Sequence, residues 1–245
     1  MKHKIILFTL LLLLLSAAAV FADDFSPEFI QQQESILRSI DQYFPRLLLT
    51  ETFDIEKKLD YDSPEVGVDR YTRVTRAGKY ETFISAWKPV SDKKTYDTWL
   101  NKDDPYSDFY FSIEGQILER DDSEKGSIYF GYSTVYSEDS GNSYCEVGFP
   151  ISIIRGKRSG KVRDEQIMAD LTQYGEDYDN HRFEIIRLNG YTSVFIDRRF
   201  IAGFADGFSG QFYFFWGAGL FPGGKYAAGQ FDNVLIRVKQ EAGFR

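Results

Sequence analysis

Short segments in which apolar and polar residues alternate dominate the chain from residue 47 onward. Residues 109–113 and 128–132 each place an apolar side chain at every second position. A period of two sends successive side chains to opposite faces of a strand, so each segment predicts one buried and one wetter face. Between them, residues 119–126 form a polar turn. Gly, Asp, Asn and Ser interrupt the segments at a spacing typical of sandwiches, so the pattern predicts an all-β domain.

The segment from His181 to Phe204 carries the clearest hairpin signal. Asn189-Gly190 separates two apolar runs, and this pair favours a type I′ turn because both positions need a positive φ. Residues 211–216 are apolar on both faces, which predicts a strand buried on two sides with Trp216 in the core. Residues 229–238 alternate clearly and predict the last strand.

The N-terminal segment has a helical period instead. Ser26-Pro27 fits an N-cap followed by proline at the first helical position. Apolar residues then recur at near-helical spacing up to the break at Pro45. We predict one amphipathic helix at residues 27–44 that packs against the outside or the edge of the domain. An exposed helix that binds a partner is the alternative.

The first 22 residues have the three parts of a cleavable secretory signal peptide. Lys2 and Lys4 supply the positive region, residues 5–15 are apolar apart from Thr9, and Val20-Phe21-Ala22 supplies a cleavage site. The apolar stretch is shorter than the roughly 20 residues that span a bilayer, which argues against an uncleaved anchor. We therefore expect an exported protein, periplasmic or extracellular, with no integral membrane segment after the signal is removed.

The expected domain organisation follows from these segments. We predict a signal peptide at 1–22, a helical extension at 23–46 and a β-sandwich domain at 47–239. The formal net charge of the whole chain is −8 at pH 7. Nucleic acid is therefore not expected as a partner, because its phosphate backbone is also negative. Nothing in the sequence indicates the oligomeric state.

Cysteine and histidine are scarce, which narrows the chemistry. Cys145 is the only cysteine, so no intrachain disulfide can form, and we expect it to be a small buried hydrophobe. His3 leaves with the predicted signal, so His181 is the only imidazole of the mature chain. Catalytic triads and histidine-based metal sites would all depend on that one residue.

The order of these segments resembles the concanavalin A-like lectin and glucanase superfamily, which includes the laminin G-like modules. Residues 182–197 resemble the family's pair of strands that leads to a V-x-V-N-G-K turn, although Asp197-Arg198-Arg199 stands where the family commonly has Asn-Gly-Lys. Residues 231–236 resemble its last strand, and residues 49–54 its first. The resemblance implies a jelly roll, that is, a two-sheet antiparallel β-sandwich with one N-terminal amphipathic helix.

The resemblance does not by itself predict an enzyme. Retaining glycoside hydrolysis needs two carboxylates about 5 Å apart, and family 16 glucanases supply them with a Glu-x-Asp-x-x-Glu motif on one strand. We interpret the chain as lacking that motif, so we predict no catalytic residue. We favour an exported, non-catalytic protein that binds carbohydrate or a cell-envelope glycan through the concave sheet and its loops. A hydrolase with another carboxylate pair and an envelope structural or protein-interaction module are the alternatives.

Four residues are candidates for ligand binding. Sugar sites commonly place an aromatic face beside polar side chains that fix the hydroxyl groups. Trp99 and Tyr106 flank a polar segment, and Glu176 and Asp179 lie in an acidic, turn-like segment before His181. We predict that these aromatic and acidic side chains line a cleft.

A structural calcium ion is the one cofactor that the resemblance suggests. Members of the superfamily often carry such an ion near the first and last strands, and calcium takes oxygen ligands. Glu51 and Asp232 are the residues at those positions. We therefore name them as candidate calcium ligands.

Overall fold

The computed structural model of the chain shows two antiparallel sheets packed face to face, and within the described residues two short helices precede them. The structure describes residues 25–51, 60–65, 68–74, 79–86, 94–100, 107–121, 125–134, 142–159, 162–174, 177–208 and 212–239. The helices are α1 (Pro27–Arg38) and α2 (Ile40–Tyr43). The strands are β1 (Arg46–Glu51), β2 (Asp60–Glu65), β3 (Val68–Val74), β4 (Tyr80–Ala86), β5 (Lys94–Leu100), β6 (Phe109–Arg120), β7 (Gly126–Ser133), β8 (Asn142–Phe149), β9 (Ser152–Ser159), β10 (Val162–Asp170), β11 (His181–Leu188), β12 (Tyr191–Ile196), β13 (Arg199–Ala205), β14 (Tyr213–Leu220) and β15 (Tyr226–Val238). The predicted signal peptide lies outside the described residues.

The larger sheet has nine strands and the smaller one six. The larger sheet has the order β13-β12-β11-β6-β15-β4-β3-β2, and β1 joins it by pairing with β15. β4 pairs with residues 226–231 of β15, and β1 pairs with residues 234–238. The smaller sheet has the order β10-β9-β8-β7-β14-β5. These two antiparallel sheets confirm the predicted sandwich.

The apolar core lies between the two sheets and is rich in aromatic rings. Its members alternate along the strands, with Phe109 and Phe111 from β6 facing Phe130 from β7 and Phe214 from β14. The Phe109 and Phe214 rings meet edge to face, with centroids 4.9 Å apart. Full burial of one such side chain stabilises the fold by roughly 1.5–3 kcal/mol. Apolar burial is therefore the source of stability in a chain whose single cysteine cannot form an intrachain disulfide. Cys145 is fully buried in this core, as predicted.

The predicted helix at 27–44 is interrupted at Ser39, which separates α1 from α2. The predicted N-cap is confirmed, because the Ser26 hydroxyl accepts the Phe29 N–H at 3.2 Å. α1 packs on the outer face of the larger sheet, where Leu37 contacts a cluster that includes Tyr110, Ile186, Phe195 and Phe200. The helix therefore covers one end of that face, as its amphipathic pattern indicated. None of the helices in the described residues is long and apolar enough to cross a membrane.

Both turns of the β11–β12–β13 meander use left-handed backbone conformations. Asn189 and Gly190 have φ values of 54° and 74°, which confirms the predicted turn. Asp197 and Arg198 have φ values of 50° and 67°, so this pair makes the same kind of turn without a glycine. The substitution of the family's Asn-Gly-Lys at this position therefore leaves the hairpin intact.

Two predictions about strand faces are wrong. Every residue of β7 is buried, whereas one wetter face was expected. On β6, Tyr110 and Ser112 are also buried, because the N-terminal helices cover this end of the sheet.

The alternation predicted for β15 is broken by a bulge at Asn233, where φ is 49°. The polar segment 119–126 joins β6 of the larger sheet to β7 of the smaller one.

Candidate functional site

The outer face of the larger sheet carries a group of polar side chains where β6 and β15 lie side by side. We call six residues the amide–tyrosine patch: Glu114, Gln116, Arg120, Tyr178, Gln230 and Asn233. Glu114 and Gln116 occupy alternate positions of β6, opposite to the core residues Ile113 and Ile117. The patch is thus supported by a rigid sheet rather than by loops alone.

Hydrogen bonds connect the members of the patch across the strands. Gln230 lies directly opposite Gln116 in the register, and its Nε2 donates to Gln116 Oε1 at 2.5 Å. The bulge brings the exposed Asn233 to Glu114, and its Nδ2 donates to Glu114 Oε2 at 2.9 Å. These bonds fix the orientation of the Gln230 and Asn233 amides. Each amide keeps further donors and acceptors that can form hydrogen bonds.

Tyr178 supplies the exposed aromatic ring of the patch. It lies in the segment before β11 and is 42% exposed. Its carbonyl oxygen accepts from Gln116 Nε2 at 2.6 Å, which ties this segment to the sheet. The Arg120 guanidinium carbon lies 5.9 Å from the Tyr178 ring centroid, within the range of a cation–π contact. One ring therefore stands beside a row of oriented amides.

A buried carboxylate lies on the same outer face. Glu184 is 1% exposed, and its Oε1 accepts from the Tyr110 hydroxyl at 2.7 Å. Arg182 Nη2 donates to that hydroxyl at 3.1 Å, and Arg182 Nε lies 3.2 Å from Glu184 Oε1. Burial, with the nearby Glu184 charge, raises the pKa of Tyr110 to about 12, so this phenol stays protonated and donates. Glu184 Oε2 is buried without a hydrogen-bond partner in the described residues.

His181 lies at the start of β11 with a carboxylate at each ring nitrogen. Nδ1 is 2.6 Å from Asp197 Oδ2, and Nε2 is 3.1 Å from Asp177 Oδ2. The side chain is 9% exposed and packs against the rings of Phe149 and Phe183. Burial alone would lower the pKa of His181, but the two carboxylates outweigh it and the pKa is raised.

The structure describes two of the four predicted ligand-binding residues, Trp99 and Asp179, and places them in different parts of the sandwich. Asp179 is exposed beside Tyr178, and its N–H donates to Asp177 Oδ1 at 3.0 Å. Trp99 belongs to β5 of the smaller sheet, directly opposite Phe215. Tyr106 and Glu176 lie outside the described residues. Asp179 is therefore the candidate that the structure places next to the patch.

The candidate calcium ligands lie near each other along the backbone. Glu51 pairs with Val234 in the sheet, two residues after Asp232. Asp232 forms an ion pair with Lys79 and accepts the Asn233 N–H at 2.8 Å. Lys79 is thus already a cationic partner of Asp232. No group of three or more His, Cys, Asp or Glu residues is placed to hold a metal in the part of the chain that the structure describes. The calcium site stays a prediction.

The outer face of the smaller sheet is aromatic but closed. Phe215 packs over Gly131, and the Tyr144 ring lies over Gly156, where in each case an added Cβ would collide. Tyr129 and Phe215 are only 1% and 4% exposed. A ligand therefore has little access to these rings, in contrast to Tyr178.

The spacing Glu-x-Asp-x-x-Glu does occur once in the chain, at Glu119, Asp121 and Glu124. The prediction that the chain lacks this motif is therefore wrong; the stretch was predicted only as a polar turn. Glu119 lies at the end of β6, where it accepts from the Tyr226 hydroxyl at 3.0 Å, and Asp121 follows the strand and accepts the Lys225 N–H. Glu124 lies outside the described residues. The three positions are therefore not successive sites on one strand, as the glucanase motif requires.

The sequence contained no direct signal for the patch. Gln116 and Gln230 are 114 positions apart and meet only because β15 pairs with β6. A signal for the His181 site was present, however. A tight turn at Asn189-Gly190 fixes the register of β11 and β12, and this register carries Asp197 to the Arg182 backbone, next to His181.

Comparison with known proteins supports the fold and leaves the family unassigned. No family model matches the chain, and no curated protein matches it. Among solved structures, LamAcat from Zobellia galactanivorans has a TM-score of 0.50 at 11% identity, over 80% of this chain and 99% of that chain. A Bacillus subtilis protein of unknown function with a galectin-like fold has a TM-score of 0.50 at 12% identity, over 80% and 99%.

A third solved structure is a GlcNAcα1-4Gal-releasing endo-β-galactosidase from Clostridium perfringens. It has a TM-score of 0.51 at 9% identity, over 82% of this chain and 64% of that chain. These likenesses confirm the predicted jelly-roll fold. They do not assign a subfamily.

Proposed function

We propose that this chain is exported and binds a carbohydrate or cell-envelope glycan through the amide–tyrosine patch without cleaving it. The observation that carries this proposal is the 42% exposed Tyr178 ring beside the hydrogen-bonded pair of Gln116 and Gln230. The fold neighbours that act on sugars or have a galectin-like fold support the ligand class. Because one fold hosts many functions, the argument rests mainly on the patch.

The chemistry of the patch suits a sugar. A pyranose ring has an apolar face of C–H groups and an edge of hydroxyls that both donate and accept. An exposed tyrosine ring packs against the apolar C–H face. A primary amide offers two N–H donors and two acceptor lone pairs. Gln116, Gln230 and Asn233 can therefore each form hydrogen bonds with the sugar hydroxyls. The existing bonds hold these amides in place, which reduces the entropy lost on binding.

A hydrolase is the second candidate, and one observation favours it. Glu114 and Glu184 project from the same outer face of adjacent strands, and both attract Arg182. A carboxylate pair on one sheet face is the arrangement that glycoside hydrolysis needs. In this chain the two carboxylates share an arginine, and Glu184 is buried against Tyr110. We therefore favour binding over hydrolysis.

A glycan array with the purified protein, with and without calcium, tests the proposal. Tyr178→Ala is expected to weaken binding to the hits about tenfold, the loss of about 1.4 kcal/mol of ring stacking. Tyr43→Ala is the matched control, since Tyr43 is also 42% exposed and lies outside the patch. Release of reducing sugar from the hits, abolished by Glu184→Gln, would instead establish the hydrolase.

Two further results would change the assignment. If Trp99→Ala removes binding and Tyr178→Ala does not, the site lies on the smaller sheet. If no glycan binds under either condition, the envelope structural or interaction module becomes the better hypothesis. Export is tested separately, by recovering the protein outside the cytoplasm and sequencing its N-terminus, which is expected to begin near Asp23.

A further inference from the structure

We infer that His181 is a pH-sensitive positioning residue for Tyr178, so that protonation of one imidazole orders the proposed glycan site. This inference deepens the proposed function and rests on it for its biological meaning. Its structural part concerns the unliganded protein and can be tested without any glycan. We call the three residues Asp177, His181 and Asp197 the histidine latch.

The latch is complete only when the imidazole is a cation. Nδ1 lies 2.6 Å from Asp197 Oδ2 and Nε2 lies 3.1 Å from Asp177 Oδ2. A neutral imidazole has one N–H and one lone pair, whereas an ionised carboxylate only accepts. One of the two carboxylates would then face a nitrogen lone pair. The imidazolium carries an N–H at each nitrogen and attracts both carboxylates: Nδ1 makes a hydrogen bond with Asp197, and Nε2 makes an ion-pair contact with Asp177 that lacks hydrogen-bond geometry.

Among the described residues, the charged groups that act on the ring are these two carboxylates. Phe149 from β8 and Phe183 from β11 pack on the imidazole, with centroids 5.1 and 6.0 Å away. Tyr174 from the preceding turn lies 6.3 Å away. On β6, the residue opposite is Gly115, which carries no charge. The neighbouring Arg182 donates its backbone N–H to Asp197 Oδ1 at 2.9 Å and so orients that carboxylate.

Asp177 transmits the protonation state of His181 to Tyr178. Its Oδ2 faces the imidazole, and its Oδ1 accepts the Asp179 N–H at 3.0 Å. The same carboxylate therefore holds the backbone on both sides of Tyr178. The Tyr178 carbonyl is in turn bonded to Gln116 of the patch. When Asp177 is released from the imidazole, the backbone around Tyr178 loses one of the contacts that set its position, while those to Gln116 and Arg120 remain.

The direction of the pH effect follows from these contacts. The carboxylates raise the pKa of His181 above its usual 6.5, against the effect of burial. The latch is therefore fully formed below pH 6.5 and is lost as the pH rises through the pKa of the folded state. We expect Tyr178 to be held while His181 is protonated and released once the pH exceeds the folded-state pKa of His181.

The test measures amide hydrogen-exchange protection of residues 177–180 in the purified protein at pH 6 and pH 9, corrected for the intrinsic rate at each pH. We expect protection to fall severalfold at pH 9 in the wild type. Asp177→Asn is expected to abolish this dependence, because the uncharged amide removes the charge that the imidazolium attracts. Asp179→Asn is the matched control in the same segment, and it is expected to behave as the wild type.

Imidazole NMR resonances provide a second measurement, with His181 assigned from their loss in His181→Asn. A ring already neutral at pH 6, or protection that is equal at both pH values, would overturn the inference. The two proposals fail in different ways. A working latch with no glycan binding would refute only the proposed function, whereas glycan binding with pH-independent protection would refute only the latch.

Discussion

Arg187 and Asp206 form a bidentate ion pair inside the sandwich. Arg187 Nε donates to Asp206 Oδ2 at 2.8 Å and Nη2 donates to Oδ1 at 2.7 Å. The two side chains are 4% and 0% exposed. Tyr132 and Thr192 also donate to Asp206 Oδ2, at 2.7 and 2.8 Å. The buried Asp206 carboxylate is tolerated because it is paired with the opposite charge of Arg187 and accepts hydrogen bonds from its polar neighbours.

Removing one partner of this pair is expected to destabilise the protein strongly. Asp206→Asn leaves the Arg187 charge buried without its counter-ion, so we expect a loss of about 3–5 kcal/mol in the free energy of unfolding. Chemical denaturation measures it. Asp41→Asn is the control, because Asp41 is 80% exposed in its ion pair with Arg237 and is expected to change stability by less than about 1 kcal/mol. Similar small effects for both variants would contradict a structural role for the buried pair.

Gly131 is expected to tolerate no side chain. A Cβ at this position would collide with the Cys145 carbonyl oxygen and press on the Phe215 ring. Gly131→Ala should therefore lower the free energy of unfolding by about 1–3 kcal/mol, the usual cost of overpacking. Gly207→Ala provides the comparison, since an added Cβ there meets no atom within 4 Å. Thermal or chemical unfolding of both variants checks this, and equal stabilities would refute the close packing.

These sites show which parts of the structure the sequence could predict. The turn at Asn189-Gly190 was predictable because few residue pairs accept two positive φ values in succession. The N-cap at Ser26 was predictable for the same local reason. Neither depends on distant parts of the chain.

The errors concern contacts that depend on distant residues. Tyr129 was predicted to lie on the more exposed face of its strand, but it is buried. A period of two shows which residues share a face, and it does not show what covers that face. The pairing of Gln116 with Gln230 required the knowledge that β15 lies beside β6. Candidate site residues were therefore chosen from local composition, and of the two that the structure describes, Asp179 lies next to the exposed patch.

Cys145 is expected to be unreactive in the folded protein. Burial, together with the charges of Asp206 and Glu146, raises the pKa of the thiol well above its usual range, and the side chain is fully buried. A thiol-specific reagent at pH 8 should therefore label the native protein very slowly and the denatured protein stoichiometrically. Rapid labelling under native conditions would show that the thiol is accessible.

Stability is expected to depend on His181 at alkaline pH. The raised pKa means that the folded state binds this proton more tightly than the unfolded state, whose pKa is near 6.5. The stabilisation is complete below that value and is lost as the pH rises through the folded-state pKa. Unfolding free energies of the wild type should therefore decline over this range, and those of His181→Asn should lack this component. Parallel curves for the two proteins would refute the prediction.

The central position of β15 has a consequence for the order of folding. This strand pairs with β6 along its length and with β1 and β4 on its other side, yet it is the last described strand in the sequence. The larger sheet cannot close until residues 226–238 have left the ribosome, and its long-range pairings make closure slow. Until residues 226–238 are available the larger sheet stays open, and an unfolded chain is the form that the proposed export requires.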